Sequence, residues 1–170
     1  IASCLVGSEM CIRDRYGTTG ESALKNVQPL FSELSVGGVA IAHNGNLTNT
    51  HQLKEKLIKS GSIFQSTSDT EVILHLLSTA SGTLLERLIY ALNSISGAYS
   101  LLIMTNSKLI GVRDPFGIRP LVLGKYKNSY ILSSESCGLD IIGAELIRDI
   151  EPGEIAVSYT HLRAHETRGN

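Results

Sequence analysis

Val36-Gly37-Gly38-Val39-Ala40-Ile41-Ala42-His43-Asn44-Gly45-Asn46-Leu47 decides how this chain is read. Its first eight residues are apolar, β-branched at intervals and short, which predicts a buried strand over residues 36–43 rather than a helix. That strand delivers residues 43–46 at its terminus. An Asn-Gly pair is ordinarily a hairpin turn. Helical spacing follows it here, so a strand-end binding loop is the better expectation. Such a loop sets the Asn44 carboxamide beside the Gly45 N–H, two donors suited to a negative oxygen forming during attack on an amide carbonyl.

Helices are expected next. Asn49-x-x-Gln52 resembles a capping box ahead of Leu53, Leu57 and Ile58, with Gly61 as the stop. Ser68-Asp69-Thr70-Glu71 predicts a second box before Val72, Ile73, Leu76, Leu77 and Ala80. Thr83-x-x-Glu86 begins a third helix whose Leu84, Leu85, Leu88, Ile89 and Leu92 are spaced for burial on a sheet. Residues 98–104, 108–112, 121–126 and 129–133 then read as an antiparallel meander. A helical turn at 138–143 and strands at 146–150 and 155–157 complete the pattern. Helices and strands come in separate blocks, which defines an α+β fold.

With 170 residues the chain suffices for one domain. Fifteen basic residues against sixteen acidic ones leave a net charge of −1, which argues against nucleic acid or an acidic membrane face as partner. Cys4, Cys11 and Cys137 form neither an even set nor a C-x-x-C pair, so a reducing, cytoplasmic setting is expected. No apolar run reaches the roughly 18 residues of a membrane span.

Three features converge on a small amino acid. Asp69 falls in a first helical turn, where the helix dipole favours a carboxylate whether or not a ligand is bound. It suits an α-ammonium group. Arg15 in Arg15-Tyr16-Gly17-Thr18-Thr19-Gly20 offers a guanidinium for a carboxylate, with the Thr18 hydroxyl three residues on. Alone, that arginine reads as an exposed side chain beside a glycine turn. Together the three sites are able to grip both ends of one amino acid and its side-chain amide.

These residues carry a family resemblance. Arg15-Tyr16-x-Thr18-Thr19-Gly20, Asn26-Val27-Gln28-Pro29, residues 42–47, Ser68-Asp69-Thr70-Glu71, Gly97-Ala98-Tyr99, residues 114–121 and Ser134-Glu135-Ser136-Cys137 resemble the glutaminase half of the amidophosphoribosyltransferases. The likeness spans about residues 16–157. It implies an N-terminal nucleophile hydrolase type αββα sandwich, two antiparallel sheets between helical layers, incomplete at its N-terminus. It also implies that Asn44 and the Gly45 N–H form an oxyanion hole, that Arg15 and Asp69 bind glutamine's main-chain groups, and that Thr18 assists at its carboxylate. The family's nucleophile is a mature N-terminal cysteine. Ammonia released from glutamine passes to a phosphoribosyltransferase domain that uses magnesium to make phosphoribosylamine for purine synthesis, in a homo-oligomeric parent.

Some of the chain departs from that pattern. Residues 4–15 and 157–168 resemble translated adapter read-through, so 1–15 are expected to be a non-native leader and 158–170 a non-native tail. Residues 16–157 would then be a partial glutaminase domain. Arg15 sits at the junction and reads either way. Cys4 has three residues before it and hence no free α-amine, so the nucleophile and turnover are expected to be missing. His161-x-x-x-His165 lacks further ligands, and no metal or other cofactor is expected in the fragment. Cys137 reads as a small buried residue; the iron-sulfur cluster of some family members would take ligands beyond this chain. The turn 114–120 reads as structure, with Arg113 or Arg119 as candidate contacts to the partner domain. Two alternatives remain: the glutaminase half of a hexosamine-phosphate synthase, and a noncatalytic glutamine-binding module.

Overall fold

A computed structural model describes residues 26–159 and 164–167. Strands β1 (Leu30–Leu34) and β2 (Gly37–Leu47) form a hairpin, and helices α1 (Thr50–Lys59), α2 (Asp69–Thr79) and α3 (Leu84–Ser94) follow. A second hairpin, β3 (Gly97–Met104) and β4 (Lys108–Arg113), leads to β5 (Val122–Tyr126), β6 (Ser129–Ser133), the short helix α4 (Cys137–Ile141), β7 (Glu145–Asp149), β8 (Ile155–Tyr159) and β9 (Ala164–Thr167). All pairings are antiparallel.

The strands do not make one meander. They divide into a six-stranded sheet ordered β1-β2-β3-β4-β8-β9 and a three-stranded sheet ordered β6-β5-β7. The break falls in the segment between β4 and β5. There the buried Asp114 carboxylate accepts the N–H groups of Phe116, Ile118 and Arg119. Arg113 donates to the carbonyls of Gly117, Arg119 and Ile150. Its guanidinium is therefore turned inward, whereas the expectation had offered it to a partner domain.

Alternation along the strands builds the layers. Val39, Ile41, Leu47, Leu101, Ile103, Ile110 and Val112 face α1–α3 and join Ile73, Leu77 and Leu88 in the main core. The opposite face presents Leu102, Leu109 and Ala156 to Leu132 of the smaller sheet and to Leu121 and Ile150, which flank its strands. Gly111 permits that approach, since a Cβ there would lie 2.7 Å from a Leu132 methyl. Beyond it, Val122 and Ile131 pack on Leu139 of α4. Helices, sheet, sheet and helix thus follow in the expected αββα order.

Helix ends follow local chemistry only in part. Thr83 and Glu86 make the full reciprocal box, whose hydrogen bonds hold the Glu86 carboxyl below its ordinary value. Asn49 makes no cap bond; its amide instead donates to the Ser94 carbonyl and accepts from Ser96 N–H, tying α1 to the entrance of β3. Ser68 caps α2 through Thr70 N–H, but Glu71 turns outward to the N–H groups of Gln65 and Ser66. Cys137, expected to be buried, is exposed: it opens α4 on the side away from Leu139, the residue by which that helix packs.

Two substitutions separate these contributions. Ile103→Ala, which empties a fully buried site, is expected to lower unfolding free energy by about 2–5 kcal/mol. Thr83→Ala is expected to cost about 1 kcal/mol. Urea denaturation followed by circular dichroism measures both.

Candidate active site

β2 does not end at His43. It remains paired with β3 through Leu47, with Gly45 opposite Tyr99 and Leu47 opposite Gly97. Asn44-Gly45 therefore lies inside a strand rather than in a loop after it. The sequence misled because Gly45 and Gly97 take φ of +148° and +139°, values that L side chains rarely adopt. A Cβ on Gly45 would meet the Ala98 carbonyl oxygen at 2.1 Å. Glycine lets the strand continue where any other residue would break it.

One edge of this strand meets groups other than β1 beyond Ile41. β1 pairs with β2 only as far as Ile41, and Thr48 N–H points the other way, to the Ser96 carbonyl. By the two-residue period of a strand, the N–H groups of residues 43, 45 and 47 share the edge that β1 vacates. Gln28 Oε1 accepts from His43 N–H, and Asp69 Oδ2 accepts from Leu47 N–H at 3.1 Å. The Gly45 N–H falls between them on that edge, about 7 Å from Leu47 N.

Asp69 reaches this edge because it opens α2. Ser68 caps the helix, and Asn26 holds the preceding loop by exchanging hydrogen bonds with Thr67. Asp69 as a whole is 2% exposed. Its Oδ1 lies 3.3 Å from His43 Nδ1, and Thr70 Oγ1 lies 3.5 Å from the same nitrogen.

Side chains of β2 alternate across the sheet. His43 faces the helices and Asp69. Asn44 faces the smaller sheet, where its Nδ2 donates to Ser134 Oγ at 3.2 Å just after β6. The structure thus brings Asp69 to the backbone of residues 43–47, while the Asn44 carboxamide approaches the same backbone from the other face. Arg15 and Thr18 lie outside the described residues. The sequence reading assigned no role to Gln28, Ser134 or the His43 ring. The odd-numbered phase of the apolar residues in β2 was the one signal that His43 points inward.

Tyr99, opposite Gly45, is buried among the helices. Burial, and then the charge of Asp114, push its hydroxyl up to about 12. Among the described residues no group of three or more His, Cys, Asp or Glu is placed to hold a metal ion. No helix among them is long and apolar enough to cross a membrane.

A helical layer, two packed antiparallel sheets and a short outer helix define an αββα class of fold. A family model described as a glutamine amidotransferase domain matches residues 21–140, and the chain belongs to that family. The amidophosphoribosyltransferase of Rhizobium etli is 53% identical over 154 residues, covering 90% of this chain and 31% of that protein. Its Bacillus subtilis counterpart is 45% identical over 145 residues, covering 84% and 30%. A solved structure of glutamine phosphoribosylpyrophosphate amidotransferase from B. subtilis, complexed with ADP and GMP, superposes with a TM-score of 0.83 at 41% identity over 87% of this chain and 33% of that one. The chain spans about a third of the length of these relatives. The fold is the αββα sandwich of the N-terminal nucleophile hydrolase type, as the resemblance implied.

Two variants probe the strand. Gly45→Ala is expected to lose more than about 1 kcal/mol of stability, read by thermal unfolding. For Tyr99, the fold holds the neutral phenol. Stability is complete below the ordinary value of 10.0 and falls as pH rises from there toward about 12. Tyr99→Phe is therefore expected to lose less stability than the parent across that window, measured by urea titration at stepped pH.

Proposed function

We propose that this chain is the glutamine-binding, amide-cleaving part of an amidophosphoribosyltransferase. In the longer protein it would release ammonia from glutamine. That ammonia would pass to a phosphoribosyltransferase domain that forms 5-phosphoribosylamine from phosphoribosyl pyrophosphate in purine synthesis. Magnesium would serve that second reaction and needs no ligand from this chain. The relatives' names favour the purine enzyme over a hexosamine-phosphate synthase. The setting proposed is cytoplasmic, although some relatives carry chloroplastic names.

The observation that carries the reading is the placement of Asp69 and the Gly45 N–H along one edge of β2, beyond the end of its pairing with β1. Glutamine extended along this edge sets its α-ammonium at Asp69 and its carboxamide oxygen at Gly45. Attack on that carbonyl turns the oxygen into an oxyanion. The Gly45 N–H and the Asn44 carboxamide stabilise the charge with donors already fixed in a strand, which removes the reorganisation that water would need. Arg15 and Thr18 hold the α-carboxylate in this reading, and the family's N-terminal cysteine supplies the nucleophile.

Calorimetric titration tests it. The chain is expected to bind L-glutamine in preference to L-glutamate. Asp69→Asn is expected to weaken glutamine by roughly 10- to 100-fold, the loss of a charged hydrogen bond. Asn44→Ala is expected to weaken it less, since its donor acts mainly once the oxyanion forms. Equal binding of both amino acids, or no effect of Asp69→Asn, would overturn the assignment.

A further inference from the structure

His43 is a buried residue whose ring is only half satisfied. Its side chain is 1% exposed, and Nδ1 faces Asp69 Oδ1 at 3.3 Å, with Thr70 Oγ1 at 3.5 Å. Its Nε2 is buried and has no hydrogen-bond partner among the described residues. An unpaired polar atom in the interior opposes folding. A leucine in this space would avoid that penalty, so the ring's value lies at its Nδ1 edge.

We infer that His43 is a positioning residue for glutamine's α-ammonium, acting through Asp69; the inference rests on the glutamine-site reading above. An ionised carboxylate only accepts hydrogen bonds, so the Nδ1 nitrogen carries a proton toward Asp69. Leu47 N–H holds Oδ2 and His43 Nδ1–H holds Oδ1. Two donors on two oxygens fix the plane of the carboxylate. About four acceptor positions exist on such a group, so the remaining ones stay aimed at a single ligand direction. His43 also belongs to the strand that carries Gly45. One ring therefore sets the distance between the ammonium contact and the oxyanion contact.

The experiment compares the parent chain with His43→Leu, which fills the space without a donor, and His43→Asn, whose Nδ2 stands near the Nδ1 position. Each is titrated with L-glutamine and with 5-amino-5-oxopentanoate, the same molecule without its α-ammonium. His43→Leu is expected to weaken L-glutamine at least tenfold and the deaminated analogue less than twofold, and His43→Asn to stay within threefold of the parent. Equal weakening of both ligands, or none, overturns the inference while leaving glutamine binding by the parent intact. A parent that does not bind glutamine overturns the site reading itself, and the inference with it. Nitrogen NMR of the ring, assigned by the signal lost in His43→Asn, is an independent arm. It is expected to show the proton on Nδ1; a proton on Nε2 alone overturns the inference even where His43→Leu fails to fold.

Discussion

The junction between the first turn of α2 and the edge of β2 beyond β1 is the constraint on which the site depends. An aspartate at 2% exposure is tolerated only where donors meet its carboxylate. Here they come from Leu47 N–H and the His43 ring, with the helix N-terminus adding its own favourable field. Nothing in this arrangement is local: Leu47 and Asp69 are 22 residues apart. Asn26 and Gln28 reinforce the junction from outside, one holding the loop before α2 and the other taking the N–H of His43. Helix and strand are thereby set to each other before any ligand arrives.

The length of β1 gives that junction its consequence. A partner strand as long as β2 would occupy the N–H groups of residues 43, 45 and 47 in an ordinary ladder. β1 stops at the level of Ile41, and side chains take over the edge beyond it. Gly45 then contributes twice. Its missing Cβ allows β3 to pass within contact distance, and its N–H remains on the vacated side. Gly97 mirrors the requirement in β3, where a Cβ would lie 2.4 Å from the Asn46 carbonyl oxygen. The two glycines form one close crossing of paired strands, and substituting either would push the pair apart.

Much of the fold could be read from pattern because its signals were short-range. The apolar period of Leu84 and Leu88 and the reciprocal pair Thr83 and Glu86 are written within one helix, and that helix formed as expected, although Ile89, also spaced for burial, is exposed. Asn49 shows where such reading fails. It had the sequence of a cap, but its amide found better partners at Ser94 and Ser96, which only the returning chain brings near. The division into two sheets was hidden for the same reason. Strand pattern specifies faces but not neighbours, and the separation is enforced by the Asp114 turn. At the site, the residue types were legible and their geometry was not. Asn44-Gly45 looked like a strand terminus because continuing a strand at positive φ leaves no separate mark in sequence.

The two faces of β2 carry different tasks, and their separation has a physical use. On the helix side, His43 and Asp69 form a buried, water-poor cluster in which a fixed charge acts strongly on whatever approaches it. On the sheet side, Asn44 is only partly buried and donates to Ser134 Oγ. A rigid charge suits recognition of a permanent ammonium group. The strand between them fixes both positions without mixing the two environments, as the proposed glutamine site requires.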